Sequence, residues 1–318
     1  MTDYIVRLMG RHISPDHVSA LSNIARSRSS RFGETEWLGL PPARAGSDSR
    51  FGPICVRLRA DVPSDSLSPF QAACTDFADS AQLDIDIQPD SVSSTDRKLI
   101  VLDMDSTLIG AEVIDELAKL AGVGEQVTRI TESAMRGEID FKQSFRRRVA
   151  LLHGLETNRI SQVLEHIPLT EGAERLVSTL KQMGWKTAIV SGGFTFVAEH
   201  LQQKLGFDYV YANRLETSNG LVTGEVNSKI IDATRKAELL KKIADFEEIT
   251  LDQVVAIGDG ANDLAMLDVA GLGIAFHAKP VVKASARHAI SHLGLDAVLF
   301  LVGIECPLPS DAHPSRTQ

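Results

Sequence analysis

Cysteine is scarce in this chain of 318 residues: Cys55, Cys74 and Cys306 are odd in number, far apart and without metal-ligand spacing. A disulfide scaffold and a zinc module are thereby excluded, and the three read as reduced thiols of a cytoplasmic protein. Long apolar runs are missing too. No stretch is long enough to cross a bilayer, and Met1 to Gly10 carries Asp3 and Arg7 where a signal peptide needs an unbroken apolar core. The expectation is a soluble, cytoplasmic protein. Positive charge is the third deficit: 33 Lys and Arg stand against 42 Asp and Glu, a net charge of -9. That argues against a nucleic-acid surface. It leaves room for an anionic substrate, because a bound cation and a few inward basic side chains set the local potential.

What the chain does have is acid at the ends of buried strands. Leu99-Ile-Val-Leu102 is short, apolar and β-branched, so it reads as a strand covered on both faces. It stops at Asp103-Met-Asp105-Ser-Thr107, and on an extended backbone Asp103 and Asp105 share a face. Two carboxylates so close repel unless a cation or proton lies between them, which points to a divalent metal. The competing reading is an acid-rich turn in which Asp105 or Ser106 caps a helix. Far downstream, Val254-Val-Ala-Ile-Gly-Asp-Gly-Ala-Asn-Asp263 repeats the pattern. Ligands collect at the carboxyl ends of strands in open α/β sheets, so the two ends can meet. Asp103, Asp105, Asp259 and Asp263 would then form an oxygen-rich pocket suited to Mg2+. Gly258-Asp-Gly260 also looks like the start of a dinucleotide fingerprint, but Asp263 stands where a third glycine belongs and would repel a pyrophosphate.

The length suits two domains. Residues 1–95 read as strand, helix, strand, strand, helix, strand: Tyr4–Met9, Asp16–Arg26, Glu36–Leu40, Ile54–Ala60, a helix marked by Leu67, Phe70, Cys74 and Phe77, and a last strand in which Leu83, Ile85 and Ile87 alternate with acids. This βαββαβ order is the ferredoxin-like split unit. Pro89–Arg97 is polar and aperiodic, a candidate linker. More than 80 residues separate Asp103 from the next buried strand, Lys186–Val190, too many for one crossover. A helical insertion over 112–168 is the economical account, placed to shield the strand ends.

Within that insertion, Phe141, Phe145, Val149 and Leu152 form one helical stripe, with Arg148 in its middle and Arg146 and Arg147 pointing away. An inward arginine needs an anion, unless its stem carries the head out to water. Ser191-Gly-Gly193 follows a buried strand and precedes the helix Phe194–Leu205, so it can cradle a phosphate or serve as an ordinary cap. Lys236 shares a stripe with Leu239, Leu240 and Ile243, which turns its ammonium toward the carboxylates. Asn219-Gly220 predicts a hairpin between Tyr209–Asn213 and Leu221–Glu225, read as scaffold. A helix is expected from Leu264, a strand over Leu272–Ala275, helices over Val281–Ala289 and Leu295–Ile304, with His277 and Lys279 shaping a loop. From Cys306 the tail, 306–318, is expected to be disordered.

Asp103-x-Asp-Ser-Thr107, Ser191-Gly-Gly-Phe194, Lys236 and Gly258-Asp-Gly-x-Asn-Asp263, with Glu112, Met135-Arg-Gly137 and Asp140-Phe-x-x-Ser-x-x-x-Arg148 between them, resemble the phosphatases of the haloacid dehalogenase superfamily. The likeness runs from about Lys98 to about Leu295 and is nearest to the branch that hydrolyses O-phospho-L-serine. It implies an α/β fold: a Rossmann-like core (96–111 and 169–305) with a helical cap (112–168) inserted after the first core strand. The N-terminal α+β unit resembles an ACT regulatory domain, although Gly10–Pro15 lacks the acid and glycine expected in its ligand-binding turn. A homodimer through this unit, plain packing and amino-acid sensing stay equally open.

The resemblance further implies Mg2+-dependent hydrolysis of a phosphate monoester, the last step of serine synthesis. It makes Asp103 the nucleophile that forms an aspartyl-phosphate, and Asp105 the acid and base. Thr107 and Ser106 would orient the loop. Mg2+ would be held by Asp103, Asp259 and the backbone carbonyl of Asp105, with Asp263 in support. Phosphoryl oxygens would fall to Ser191, Gly192, Lys236 and Asn262, the substrate carboxylate or phosphate to Arg148, and its ammonium to Glu112. A phosphatase or mutase for another small ester would share these residues. A non-catalytic binding protein on the same core would be marked by loss of Asp103 or Asp105, and both are present.

Overall fold

Alternating patterns build one sheet and continuous apolar runs build the other. The computed structural model describes residues 2–28, 30–40, 52–93 and 96–307. The N-terminal unit runs β1 (Thr2–Gly10), α1 (Pro15–Ser27), β2 (Arg31–Gly39), β3 (Ile54–Val62), α2 (Leu67–Ser80), β4 (Asp84–Pro89) and the single turn α3 (Asp90–Ser93). Its strands are antiparallel in the order β2-β3-β1-β4, as the ferredoxin-like reading requires. α1 starts where Ser14 accepts a hydrogen bond from the His17 N–H and Pro15 opens the first turn.

The proposed linker is more ordered than its composition suggests. Pro89 ends β4, and Arg97 is buried with its guanidinium donating to the carbonyls of Asp252 and Val92. Residues 94–95 lie outside the described residues.

The second sheet starts with β5 (Leu99–Leu102). The chain then leaves for α4 (Val113–Ala121), α5 (Gly124–Met135), α6 (Phe141–Ala150) and α7 (Thr157–His166) before returning through α8 (Ala173–Gln182) to β6 (Lys186–Phe194). Next come α9 (Thr195–Leu205), β7 (Tyr209–Asn213), the short β8 (Thr217–Ser218) and β9 (Leu221–Val222), and α10 (Ala233–Phe246). β10 (Val254–Gly258), α11 (Leu264–Val269), β11 (Leu272–Phe276), α12 (Pro280–Ser285), β12 (His288–Ile290), α13 (Val298–Leu301) and β13 (Cys306–Pro307) complete it. Six strands lie parallel in the order β12-β11-β10-β5-β6-β7. Both faces are buried, which is why the strands read as unbroken apolar runs. Leu99 and Val101 face Leu239, Leu240, Ile243 and Met266, whereas Ile100 and Leu102 face the opposite layer with Leu176, Val177 and Leu180.

Four expectations are corrected. Asn219 and Gly220, both at positive φ, do form a hairpin, but it joins β8 to β9; β7 pairs in parallel with β6. The hairpin is also more than scaffold, since Val222 exchanges backbone hydrogen bonds with Gly154 and Leu155 and so props the loop between α6 and α7. The helix expected over Val281–Ala289 stops at Ser285, because His288–Ile290 pair with β11 and tertiary pairing overrides a weak local preference. Cys306–Pro307 are strand, paired with Leu38–Gly39 of β2, so the described end of the chain returns to the N-terminal sheet. Residues 308–318 lie outside the described residues.

The two units are packed together firmly. Asp84, Asp86 and Gln88 alternate along β4 yet are 3%, 2% and 0% exposed. Asp84 accepts from the N–H groups of Ser291, His292 and Leu293 at 2.6, 3.1 and 2.9 Å. Asp86 bonds to His288 Nδ1 at 2.6 Å, and Gln88 donates to the Leu301 carbonyl.

Candidate active site

The site lies at the carboxyl ends of β5, β6 and β10, where strand geometry stops and tight turns begin. Asp103 carries on the β5–β10 ladder, its N–H donating to the Ile257 carbonyl at 2.9 Å. The chain then winds so tightly that the Met104 carbonyl accepts from Leu108 and Ile109, and Ser106 takes φ 57°, a conformation that L side chains adopt at a cost. The coil returns Thr107 to the site, where its hydroxyl donates to Asp259 Oδ1 at 3.2 Å. Ser106 Oγ donates to Glu112 Oε1 at 2.7 Å and thereby ties the catalytic loop to the first residue of the cap.

Lys236 is fully buried, as its stripe predicts, and its ammonium joins two strand ends: 2.8 Å to Asp103 Oδ1 and 2.6 Å to Asp263 Oδ1. Asp263 also accepts from the Gly260 N–H at 3.1 Å. Gly258 has to be glycine, since a Cβ there would come within 2.3 Å of the Asp263 carboxylate. One oxygen each from Asp103, Asp259 and Asp263 falls within 4.8 Å of the others. The cluster therefore includes Asp263, expected only in support. It leaves out the Asp105 carboxylate, which the four-acid pocket read from the sequence included and for which the resemblance implied only the backbone carbonyl.

Four carboxylates and one ammonium leave surplus negative charge, and their proton affinities record it. Asp259 is pushed up to about 6 by burial and by Asp103 and Glu112. Asp263 is raised by burial and by Asp103, against the pull of Lys236. Asp105 is raised well above the ordinary carboxylate value by burial, Glu112 and Asp103, and its buried Oδ1 has no protein partner. Burial works against the charge of Lys236, yet Asp103 and Asp263 outweigh it and raise its pKa. An all-oxygen donor set with unspent negative charge fits a hard divalent cation.

Around this centre, Ser191 is buried and its Oγ accepts from the Gly193 N–H at 2.9 Å, while Gly193 passes so close to Asp105 that a Cβ would lie 2.6 Å from its Oδ2. The Phe141 ring of the cap lies over Gly192, its Cζ 3.0 Å from where a Cβ would stand. Arg148 is half-buried while Arg146 and Arg147 are exposed. Burial lowers the Arg148 pKa against the fields of Glu112, Asp115 and Asp105, and its buried Nε has no protein partner. Asn262 sits at the Gly260 turn, its Oδ1 2.2 Å from a Cβ built on that glycine. The sequence reading missed Phe141 as the residue over the cradle. It also missed Lys142, whose Nζ reaches Asp232 Oδ2 at 2.6 Å and links the cap to α10. Periodicity does not mark Lys142 and places Phe141 only on the apolar stripe of its helix, because both act across the cleft.

The family profile of haloacid dehalogenase-like hydrolases matches residues 100–268, more than half of the chain. The chain belongs to the haloacid dehalogenase-like hydrolases. Among members of that family, the phosphoserine phosphatase of Archaeoglobus fulgidus is 51% identical over 222 residues, 69% of this chain and 64% of that protein. That of Lactococcus lactis subsp. lactis is 48% identical over 206 residues, 65% of this chain and 95% of that protein. The crystal structure of a probable phosphoserine phosphatase from Vibrio cholerae, in unliganded form, superposes with a TM-score of 0.75 at 36% identity, over 95% of this chain and 87% of that one. This haloacid dehalogenase-like chain spans under two thirds of the length of several curated relatives, 64%, 61% and 58% in three of them.

Proposed function

We infer that the protein is a phosphoric monoester hydrolase that cleaves O-phospho-L-serine to L-serine and phosphate, as a soluble cytoplasmic enzyme of serine synthesis. The observation that carries this reading is the cluster of Asp103, Asp259 and Asp263, two of them paired with the buried Lys236 ammonium, with Glu112 and the half-buried Arg148, whose Nε has no protein partner, beside it. Phosphoserine phosphatases among the relatives support the choice of substrate.

Asp103 Oδ1 is held by the Met104 N–H at 2.7 Å and by Lys236, which leaves Oδ2 as the oxygen that attacks phosphorus and forms an aspartyl-phosphate. A carboxylate is a weak nucleophile, but fixed in line with the ester it loses little entropy in reacting. Asp105, whose carboxyl burial, Glu112 and Asp103 push well above the ordinary carboxylate range, gives a proton to the departing serine oxygen and then takes one from the water that attacks the phosphoenzyme. The Ser191 hydroxyl, the Gly192 N–H, Lys236 and Asn262 hold the phosphoryl oxygens where charge spreads in the transition state. Mg2+ at Asp103, Asp259, Asp263 and the Asp105 carbonyl would draw charge off those oxygens. Arg148 takes the substrate carboxylate and Glu112 its ammonium, while the cap keeps bulk water from the phosphoenzyme. Phosphate release is to be measured over phosphoserine, phosphothreonine and sugar phosphates, with and without EDTA. A preference for phosphoserine that EDTA abolishes is expected; a preference for a sugar phosphate would overturn the substrate assignment.

A further inference from the structure

Asn213, the last residue of β7, is 1% exposed and touches none of the catalytic side chains. Its amide nonetheless joins the two segments that supply the phosphoryl-oxygen donors. Nδ2 donates to the Gly192 carbonyl at 2.8 Å, and Oδ1 accepts from the Ile231 N–H at 2.8 Å. Gly192 lies in the Ser191-Gly-Gly193 segment, the irregular end of β6 where its register with β7 shifts, and not in the turn expected after the strand. Ile231 directly precedes Asp232, whose side chain caps α10 by accepting from the Arg235 N–H at 2.9 Å, and α10 carries Lys236.

The bond to Gly192 has a consequence for Ser191. The Gly192 carbonyl and the Gly193 N–H belong to one planar peptide and point in opposite directions. Holding the carbonyl on Asn213 therefore turns the N–H the other way, and there it donates to Ser191 Oγ at 2.9 Å. An Oγ that accepts from the Gly193 N–H keeps its own O–H available for a different acceptor. We propose that Asn213 is a positioning residue that sets the Ser191 hydroxyl as a phosphate donor and holds it in register with the Lys236 helix. An amide suits the place because it presents an N–H donor and a carbonyl acceptor from two separate atoms of one rigid plane. Aspartate has the same shape but offers two acceptors, one of them facing the Gly192 carbonyl.

The inference rests on reading Ser191 as a phosphate ligand, and its test uses inorganic phosphate so that it is judged apart from turnover. Phosphate binding with MgCl2 present is measured by calorimetry on the full chain, for Ser191→Ala, Asn213→Asp and the double variant. Each single change is expected to weaken phosphate about tenfold. The double change is expected to weaken it no more than about twofold beyond either single one, because both act through one hydroxyl. Losses that multiply in the double variant would overturn the proposal, as would a lowered melting temperature with phosphate affinity intact. Wild-type protein that binds no phosphate would overturn it too. Where Asn213→Asp does not fold, Asn213→Ala replaces it with the same expectation. Wild-type protein that binds phosphate but leaves phosphoserine uncleaved would sink the functional reading alone, and the cycle would still decide for or against Asn213.

Discussion

Asp86 in the N-terminal sheet and Asp103 at the end of β5 are equally buried, 2% and 4% exposed, yet they do opposite things. Asp86 is satisfied by its surroundings: His288 at 2.6 Å, Gln88 Nε2 at 2.7 Å and Arg7 at 3.8 Å. Burial pushes its pKa up, but His288 and Arg7 outweigh that and leave it below the ordinary value. Asp84 beside it accepts from three backbone N–H groups. Around Asp103 the balance is reversed. Asp105, Asp259 and Asp263 are all raised, and an oxygen of Asp105 has no partner. Burial of acids is thus common to both clusters, and unspent charge marks the one proposed as the active site.

The largest test of this contrast is Asp103→Asn. Loss of the proposed nucleophile should cut phosphate release by at least about 10⁴-fold with little change in melting temperature, and should abolish trapping of labelled phosphate on the protein. Phosphate trapped at another residue would break the assignment. Asp86→Ala should do the reverse, costing about 3–5 kcal/mol of unfolding free energy in denaturant titrations because it removes the buried carboxylate that Arg7 and His288 face, while kcat well below the melting point stays close to wild type. A large loss of kcat in that variant would erase the distinction between the clusters.

Metal and pH probe the contrast more gently. Acids with raised pKa bind protons more tightly folded than unfolded, so Asp259 and Asp263 make the metal-free protein less stable as pH rises from about 4 through about 6 and beyond. Asp86, being lowered, contributes stability that is present above about pH 4 and lost as pH falls through its folded value. Mg2+ at about 100 times its Kd should stabilise the protein by about 2.7 kcal/mol near pH 8, with a distinctly smaller gain near pH 5. Equal thermal shifts at the two values would show that these carboxylates are not its ligands. Smallest is Arg148→Ala, expected to raise KM for phosphoserine roughly tenfold or more while KM for p-nitrophenyl phosphate hardly moves. An equal rise for both substrates would remove Arg148 from substrate recognition.

Much of this was legible residue by residue wherever the information is local. Alternation along β1 and β4, the apolar run Leu99–Leu102, and the helical stripes that turn Lys236 and Arg148 inward while Lys241, Lys242, Arg146 and Arg147 face out all follow from backbone periodicity. The limits of that method show at β12, where three residues of weak preference become strand only because β11 lies beside them. They show again at β4, where the same alternation that marks a strand gives no sign that its acidic face is buried against the core.

The sequence by itself determined the α/β class, the helical insertion between β5 and β6 and the inward turn of Lys236 and Arg148, since each depends on periodicity and spacing along the chain. Only the tertiary structure decided which carboxylates remain unsatisfied, that the Asp105 carboxylate stands outside the cluster of Asp103, Asp259 and Asp263, and that Asn213 joins Gly192 to the Lys236 helix. The physical reason is that a charge is satisfied by whatever surrounds it in space. For Asp103 those neighbours come from Met104 and Lys236, one adjacent in the chain and the other brought in by the packing of α10 beneath the sheet.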